Sequence, residues 1–175
     1  MSEDLRYPVG KFQWPLTVTP EDRAAYIETI AHAPARLRQA VAGLSEEQLN
    51  TPYRDGGWTV RQVIHHVPES HMNSYIRFKL ALTETDPIIK PYDEAAWARL
   101  SDIGNTPIEV SLALMENLHK RWLILLHGLS ESDWKKKFVH PEIGPVTLEN
   151  NLALYAWHSN HHIGQISSLR TRNSW

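Results

Sequence analysis

The stretch TLENNLALYAWHSNHHIGQISSLR, Thr147–Arg170, decides how the chain folds and where its chemistry sits. Thr147 stands where a helix N-cap belongs. Leu148, Leu152, Tyr155, Ile163, Ile166 and Leu169 then recur at the spacing of one helix face. A long helix running to about Arg170 is expected. Within it lie three histidines in five residues, His158, His161 and His162, and the chain has no cysteine. Any transition metal must therefore be held by imidazole and carboxylate.

His158 and His162 stand four apart, so they differ by about 40° around the helix and lie one turn above each other. Both can reach one ion. His161 points about 100° away from His162, although its spacing from His158 would let it replace one of the pair. Ser159 follows His158 where a zinc protease has glutamate, so the HExxH arrangement is absent. A histidine pair at this spacing is by itself usually a solvated or capped face, and the metal reading needs a third nitrogen.

That nitrogen is available in WTVRQVIHHV, Trp58–Val67, the opening of a second predicted helix. Thr59 is its cap, and Val60, Val63, Ile64, Val67, Met72, Tyr75, Ile76 and Leu80 form its apolar side to about Leu82, with a kink expected at Pro68. His65 and His66 sit in an apolar run, where an imidazole must be hydrogen-bonded or ligating. One of them, joined to the pair on the last helix, gives three nitrogens and leaves a fourth position for water or substrate.

Outward from these helices, Pro8, Gly10 and Pro15 make the first 18 residues an extended arm. Thr19, Pro20, Glu21 and Asp22 then open a first helix to about Ala42, with a bend allowed at Pro34. Ser45 and Gln48 form a capping box for a short turn of helix, and PYRDGGW, Pro52–Trp58, is a loop. A third long helix starts at Thr106–Pro107 and continues to about Leu129. The long connection before it holds a short helix over Asp93–Leu100; Ser130–Trp134 adds a turn, and Phe138–Leu148 reads as a small hairpin. The fold class that follows is all-α: one domain over residues 1–175, a four-helix bundle with long crossover segments.

Composition narrows the function. With 42% hydrophobic and 22% charged residues the chain is an ordinary folded one, and no window reaches the roughly 18 apolar residues of a membrane span. A formal charge of -2 without a Lys/Arg stripe speaks against nucleic acid, the cluster Lys135–Lys137 notwithstanding. The N-terminus lacks an apolar leader, and zero cysteines suits a reducing compartment, so a cytoplasmic location is expected.

GWTVRQVIHHV and WHSNHHIGQI together resemble the DinB-like superfamily. PYRDGGWTVRQVIHH and SHMNSYIRFKLALTE resemble its YfiT-type branch of metal-dependent hydrolases. The likeness spans nearly the whole chain. It implies a metal-binding His eight residues after the Trp of the GW element, which selects His66, and an HxxxH pair ahead of Gly-Gln, which selects His158 and His162 before Gly164 and Gln165. It further implies one divalent ion, zinc or nickel, and leaves a homodimer open. His65 and His161 become neighbours of the site.

Other residues have two readings each. Glu69 lies about 60° around from His66, as a general base or as a solvated carboxylate, and Gln165 either orients water or pins a helix contact. Gly164 permits close packing, and Asp55 either approaches the site mouth or forms a turn. Arg77, four beyond Asn73, either receives an anionic substrate group or makes a surface ion pair. Trp58, Trp122 and Trp157 are expected in the core or at helix joints, Trp157 with the option of walling the cavity; His71, His119, His127 and His140 are read as structural. Three functions compete for the site. The first is hydrolysis of a small-molecule substrate by metal-activated water. The second is low-molecular-weight thiol S-transfer of the bacillithiol type, with the thiol as co-substrate. The third is a non-catalytic bundle closed by a fourth ligand.

Overall fold

Capping residues set where each helix starts. In the computed structural model, which describes residues 4–175, Thr19, Ser45, Thr59 and Ser130 each accept from the backbone three residues on, and that residue's side chain returns the bond. They open α1 (Pro20–Val41), α2 (Glu46–Leu49), α3 (Val60–Thr83) and, after α4 (Glu94–Trp97), α5 (Ser101–Asn105) and α6 (Ile108–His127), the short α7 (Glu131–Trp134). The hairpin β1 (Lys137–His140) and β2 (Gly144–Thr147) follows, with Phe138 opposite Val146, and Thr147 caps α8 (Leu148–Asn173). The single helix expected over Asp93–Leu100 is instead α4, followed by a separate α5. α3 runs unbroken through Pro68, and α8 continues past Arg170.

The four long helices, α1, α3, α6 and α8, form an all-α bundle in which α1 and α3 each pack against both α6 and α8. α1 and α3 thus lie across one diagonal, and α6 and α8 across the other. Contact partners give the directions. His65 meets Ser111 and His71 meets His119, so α3 and α6 run parallel; Ser70 meets Tyr155 and Ser74 meets Asn151, so α3 and α8 run antiparallel. Parallel neighbours consecutive among the long helices force the chain back along the bundle between Thr83 and Ile108, which explains that long connection. No helix among the described residues is long and apolar enough to cross a membrane.

The core divides in two. One apolar cluster holds Val63, Ile64, Val67, Met115, Ile163 and Ile166; the other holds Phe78, Trp122, Trp134, Phe138, Leu152 and Tyr155. Between them, α3, α6 and α8 contribute His71, His119 and His158 at matching levels. The bundle therefore carries a polar histidine layer through its middle.

Candidate metal centre

His66 comes from the first half of α3, and His158 and His162 from one face of α8. Their ligating nitrogens gather within 4.8 Å of one another. His66 Nε2 lies 3.3 Å from His158 Nε2, and His162 Nε2 lies 3.2 Å from the same atom. Burial pulls the pKa of His66 down to about 4 and those of His158 and His162 well below the ordinary value, with the neighbouring imidazoles acting in the same direction. All three are neutral bases at pH 7.

Hydrogen bonds fix which ring nitrogen of each α8 histidine of the triad carries the proton. Gln165 donates its amide N–H to His161 Nε2 at 2.9 Å, which turns its Oε1 toward His162 Nδ1, also at 2.9 Å. His162 Nδ1 must then be the donor, and its Nε2 is left as a lone pair.

For His158 the proton is set from farther away. Pro34 has no N–H, so the carbonyl of Ile30, four residues earlier in α1, lacks its helical donor. His119 Nδ1 fills that vacancy at 2.7 Å, and since a carbonyl only accepts, Nδ1 carries the proton. His119 Nε2 then accepts from His71 Nδ1 at 2.9 Å, and His71 Nε2 accepts from His158 Nδ1 at 3.2 Å. His158 Nε2 is thereby a lone pair as well. Burial keeps the middle of the chain neutral, since His71 lies well below the ordinary value and His119 at about 4.

The donor set fits a cation. The Nε2 atoms of His158 and His162 face each other at 3.2 Å with no proton between them, which is repulsive unless positive charge stands there. Ligands about 2.0–2.1 Å from a tetrahedral zinc ion are themselves about 3.3 Å apart, the spacing seen here.

Reading His71 and His119 as structural is corrected by this chain: they reach the metal set through His158. The signal missed was Pro34, whose freed carbonyl needs a donor from another helix. His119→Phe is expected to lower zinc affinity about 10–100-fold, the usual cost of losing such a support. His119→Gln keeps an acceptor for His71 and a donor for Ile30, and should recover most of the loss. Competition titration against a chromophoric chelator measures both, and equal losses in the two variants would reduce His119 to packing.

The remaining candidates divide. His65 turns to α6, with Nδ1 2.7 Å from Ser111 Oγ, and His161 stacks on Trp157 with ring centroids 4.5 Å apart. Neither joins the triad. The Glu69 carboxylate is half-buried with its pKa raised by burial and by Asp102 of α5, and it does not line the cavity at the triad. Asp55 borders a different depression, beside Arg6 and Arg172.

That cavity, about 410 Å³, runs between α3 and α8. Its walls come from the crossover segments: Trp14 of the arm, Glu94 of α4, and Phe138, His140, Ile143 and Val146 of the hairpin. Trp58 closes the metal end, 4.7 Å from the His66 ring and edge-on to it. Trp157 is outside, donating its indole N–H to Gly10 O at 3.0 Å. A side chain at Gly164 would meet Val9 and Pro8 at 3.1 and 3.2 Å, so this glycine lets the arm lie against α8.

A four-helix bundle with three convergent imidazoles at one end of a cavity is a helical scaffold with a candidate metal centre. Residues 29–166 match the DinB superfamily, and the chain belongs to it. It is 52% identical over 173 residues to a "putative metal-dependent hydrolase" of Bacillus mycoides (strain KBAB4), covering 99% of each chain. A relative of the same description in Bacillus cereus (strain 03BB102) is 53% identical over 172 residues, covering 98% of this chain and 99% of that one. Among solved structures, YfiT from Bacillus subtilis, described as "a probable metal-dependent hydrolase with an unusual four-helix bundle topology", superposes with a TM-score of 0.95 at 49% identity, covering 98% of both chains.

Proposed function

We propose that this protein is a hydrolase whose His66, His158 and His162 hold one divalent ion, zinc or nickel, and whose substrate is a small molecule entering the cavity between α3 and α8. The observation that carries it is the triad itself: three neutral nitrogens converging at a cavity wall, with His65 and His161, their neighbours in sequence, engaged elsewhere. A bound ion there supplies Lewis acidity and, in zinc sites of this kind, brings the pKa of water to about 7. The protein's part is orientation. Gln165 and the His71–His119 chain hold protons at Nδ1 so that Nε2 faces the site. Trp58 and Trp14 limit access of bulk water, and the Tyr155 hydroxyl, its pKa raised by burial, stays protonated as a donor on the cavity wall. Hydrolysis forms a bond from water oxygen to the electrophilic carbon and breaks the bond to the leaving group, which takes up a proton.

One observation favours a second reading, low-molecular-weight thiol S-transfer. Glu69, the candidate base, does not line the cavity at the triad, so the attacking group need not be water drawn by a protein carboxylate. A thiol brought as co-substrate would supply its own nucleophile. The two are separated by offering an activated ester and an alkylating electrophile to the zinc- and nickel-loaded protein with and without small thiols. Chelator-sensitive consumption of the ester without thiol is the expected result. Consumption only with thiol selects transfer, and none under either condition removes both.

A further inference from the structure

The triad occupies only one end of the cavity, and α3 shows what stands at the other. Arg77 is eleven residues beyond His66, about 20° around the helix and about 16 Å along it. Helical side chains lean back toward the N-terminus, which brings the guanidinium toward the triad, and Arg77 lines the same cavity. Ser70, Tyr155 and Asn151 form the polar strip between the two ends.

The two buried arginines here have carboxylate partners, Arg23 with Glu131 and Glu149 and Arg61 with Glu46, while the half-buried Arg54 and Arg170 donate to hydroxyl or backbone carbonyl oxygens. Arg77 makes no ion pair or hydrogen bond among the described residues, although Glu94 lines the same cavity. Its charge is felt by the buried Tyr155 hydroxyl. The surface ion pair that would account for Arg77 is therefore not formed. A half-buried guanidinium facing a cavity with mostly apolar walls is a receptor for a planar oxyanion.

We propose that the substrate is bound at two points, its reacting group at the His66–His158–His162 end and a carboxylate at Arg77, joined by an extended apolar body that lies along Phe138, Ile143, Val146 and Leu154. This rests on the metal-centre reading and extends it to a substrate class: elongated monoanions with the charge remote from the scissile bond. Glu94 sharpens it in the opposite sense, since its charge opposes the same anion.

The test uses zinc-loaded full-length protein and two probes that share a metal-binding hydroxamate, suberic acid monohydroxamate and octanohydroxamic acid, which differ in a terminal carboxylate. Adipic and sebacic homologues vary the reach. Calorimetric Kd values are expected to show the ratio between the probes moving at least about tenfold toward the neutral one in Arg77→Gln, with most of the shift recovered in Arg77→Lys. In Glu94→Gln the ratio moves the other way. Octanohydroxamic acid should bind wild type and Arg77→Gln alike. A ratio that Arg77→Gln leaves unchanged at every chain length overturns the proposal while the metal centre stands. Failure of both probes to bind zinc-loaded wild type overturns the proposal, while zinc content that His158→Ala leaves unchanged removes the metal-centre reading beneath it.

Discussion

His158→Ala is expected to purify with less than a tenth of an equivalent of metal where the parent carries close to one. His158 is the ligand nearest to both others, at 3.3 Å from His66 Nε2 and 3.2 Å from His162 Nε2, so its loss leaves two imidazoles without a common apex. The fall in affinity should exceed the about 10–100-fold that removal of an outer partner costs. The same change removes the donor to His71 Nε2, leaving a buried acceptor unpaired at a cost of about 1–3 kcal/mol. His158→Ala should therefore melt below the parent even when both are stripped of metal. His66→Ala has no such second effect and should lose metal with a smaller change in the stripped protein's stability. His161→Ala is the control: its ring lies outside the triad and the Gln165 amide keeps the Arg6 carbonyl as an acceptor, so metal content should stay near that of the parent. Elemental analysis and thermal unfolding after zinc dialysis read all four proteins, and full metal in His158→Ala would sink the site.

What could be read from the chain and what could not divide along physical lines. Helix starts were legible because a cap is a local event: Thr19, Ser45, Thr59 and Thr147 satisfy N–H groups within three residues of themselves. The pair His158 and His162 was legible for the same reason, since helical geometry alone puts them on one face. Choosing His66 over His65 needed the family resemblance, because both are buried and periodicity does not separate them. The structure separates them by partner, as Ser111 takes His65. The diagonal arrangement of α1 against α3 was not legible, because loop length limits which helices can be neighbours without selecting among them. The roles of His71 and His119 depended on that arrangement: their helices had to be parallel neighbours, and the Ile30 carbonyl freed by Pro34 had to face α6.

The metal-free protein should lose stability steadily as the pH falls from 7 to 5, well before ordinary carboxylates titrate. His119 sits at about 4 when folded, against 6.5 for an unperturbed imidazole, and burial is the main cause. Below pH 6.5 the unfolded chain takes up a proton there and the folded chain does not, so this contribution is complete above 6.5 and is lost as the pH drops toward 4. Between pH 7 and 5 His119 alone accounts for about 2 kcal/mol, at about 1.4 kcal/mol for each unit below 6.5. His71, held well below the ordinary value by burial, and His65, lowered by burial and by the nearby Arg61 charge, act with the same sign. Against a domain stability of about 5–15 kcal/mol, a loss of this size is a measurable fraction of the whole. Bound zinc adds to the neutral end, about 4 kcal/mol at a free concentration a thousand times Kd, and adds progressively less in acid, where protons compete for the same nitrogens. Urea unfolding at half-unit steps, with and without zinc, should give two curves that diverge above pH 6 and converge toward pH 5. Flat stability of the stripped protein over that range would mean that the buried imidazoles already carry protons in the fold. The proton order from Ile30 to His158 would then lose its basis, since a doubly protonated His119 could not accept from His71.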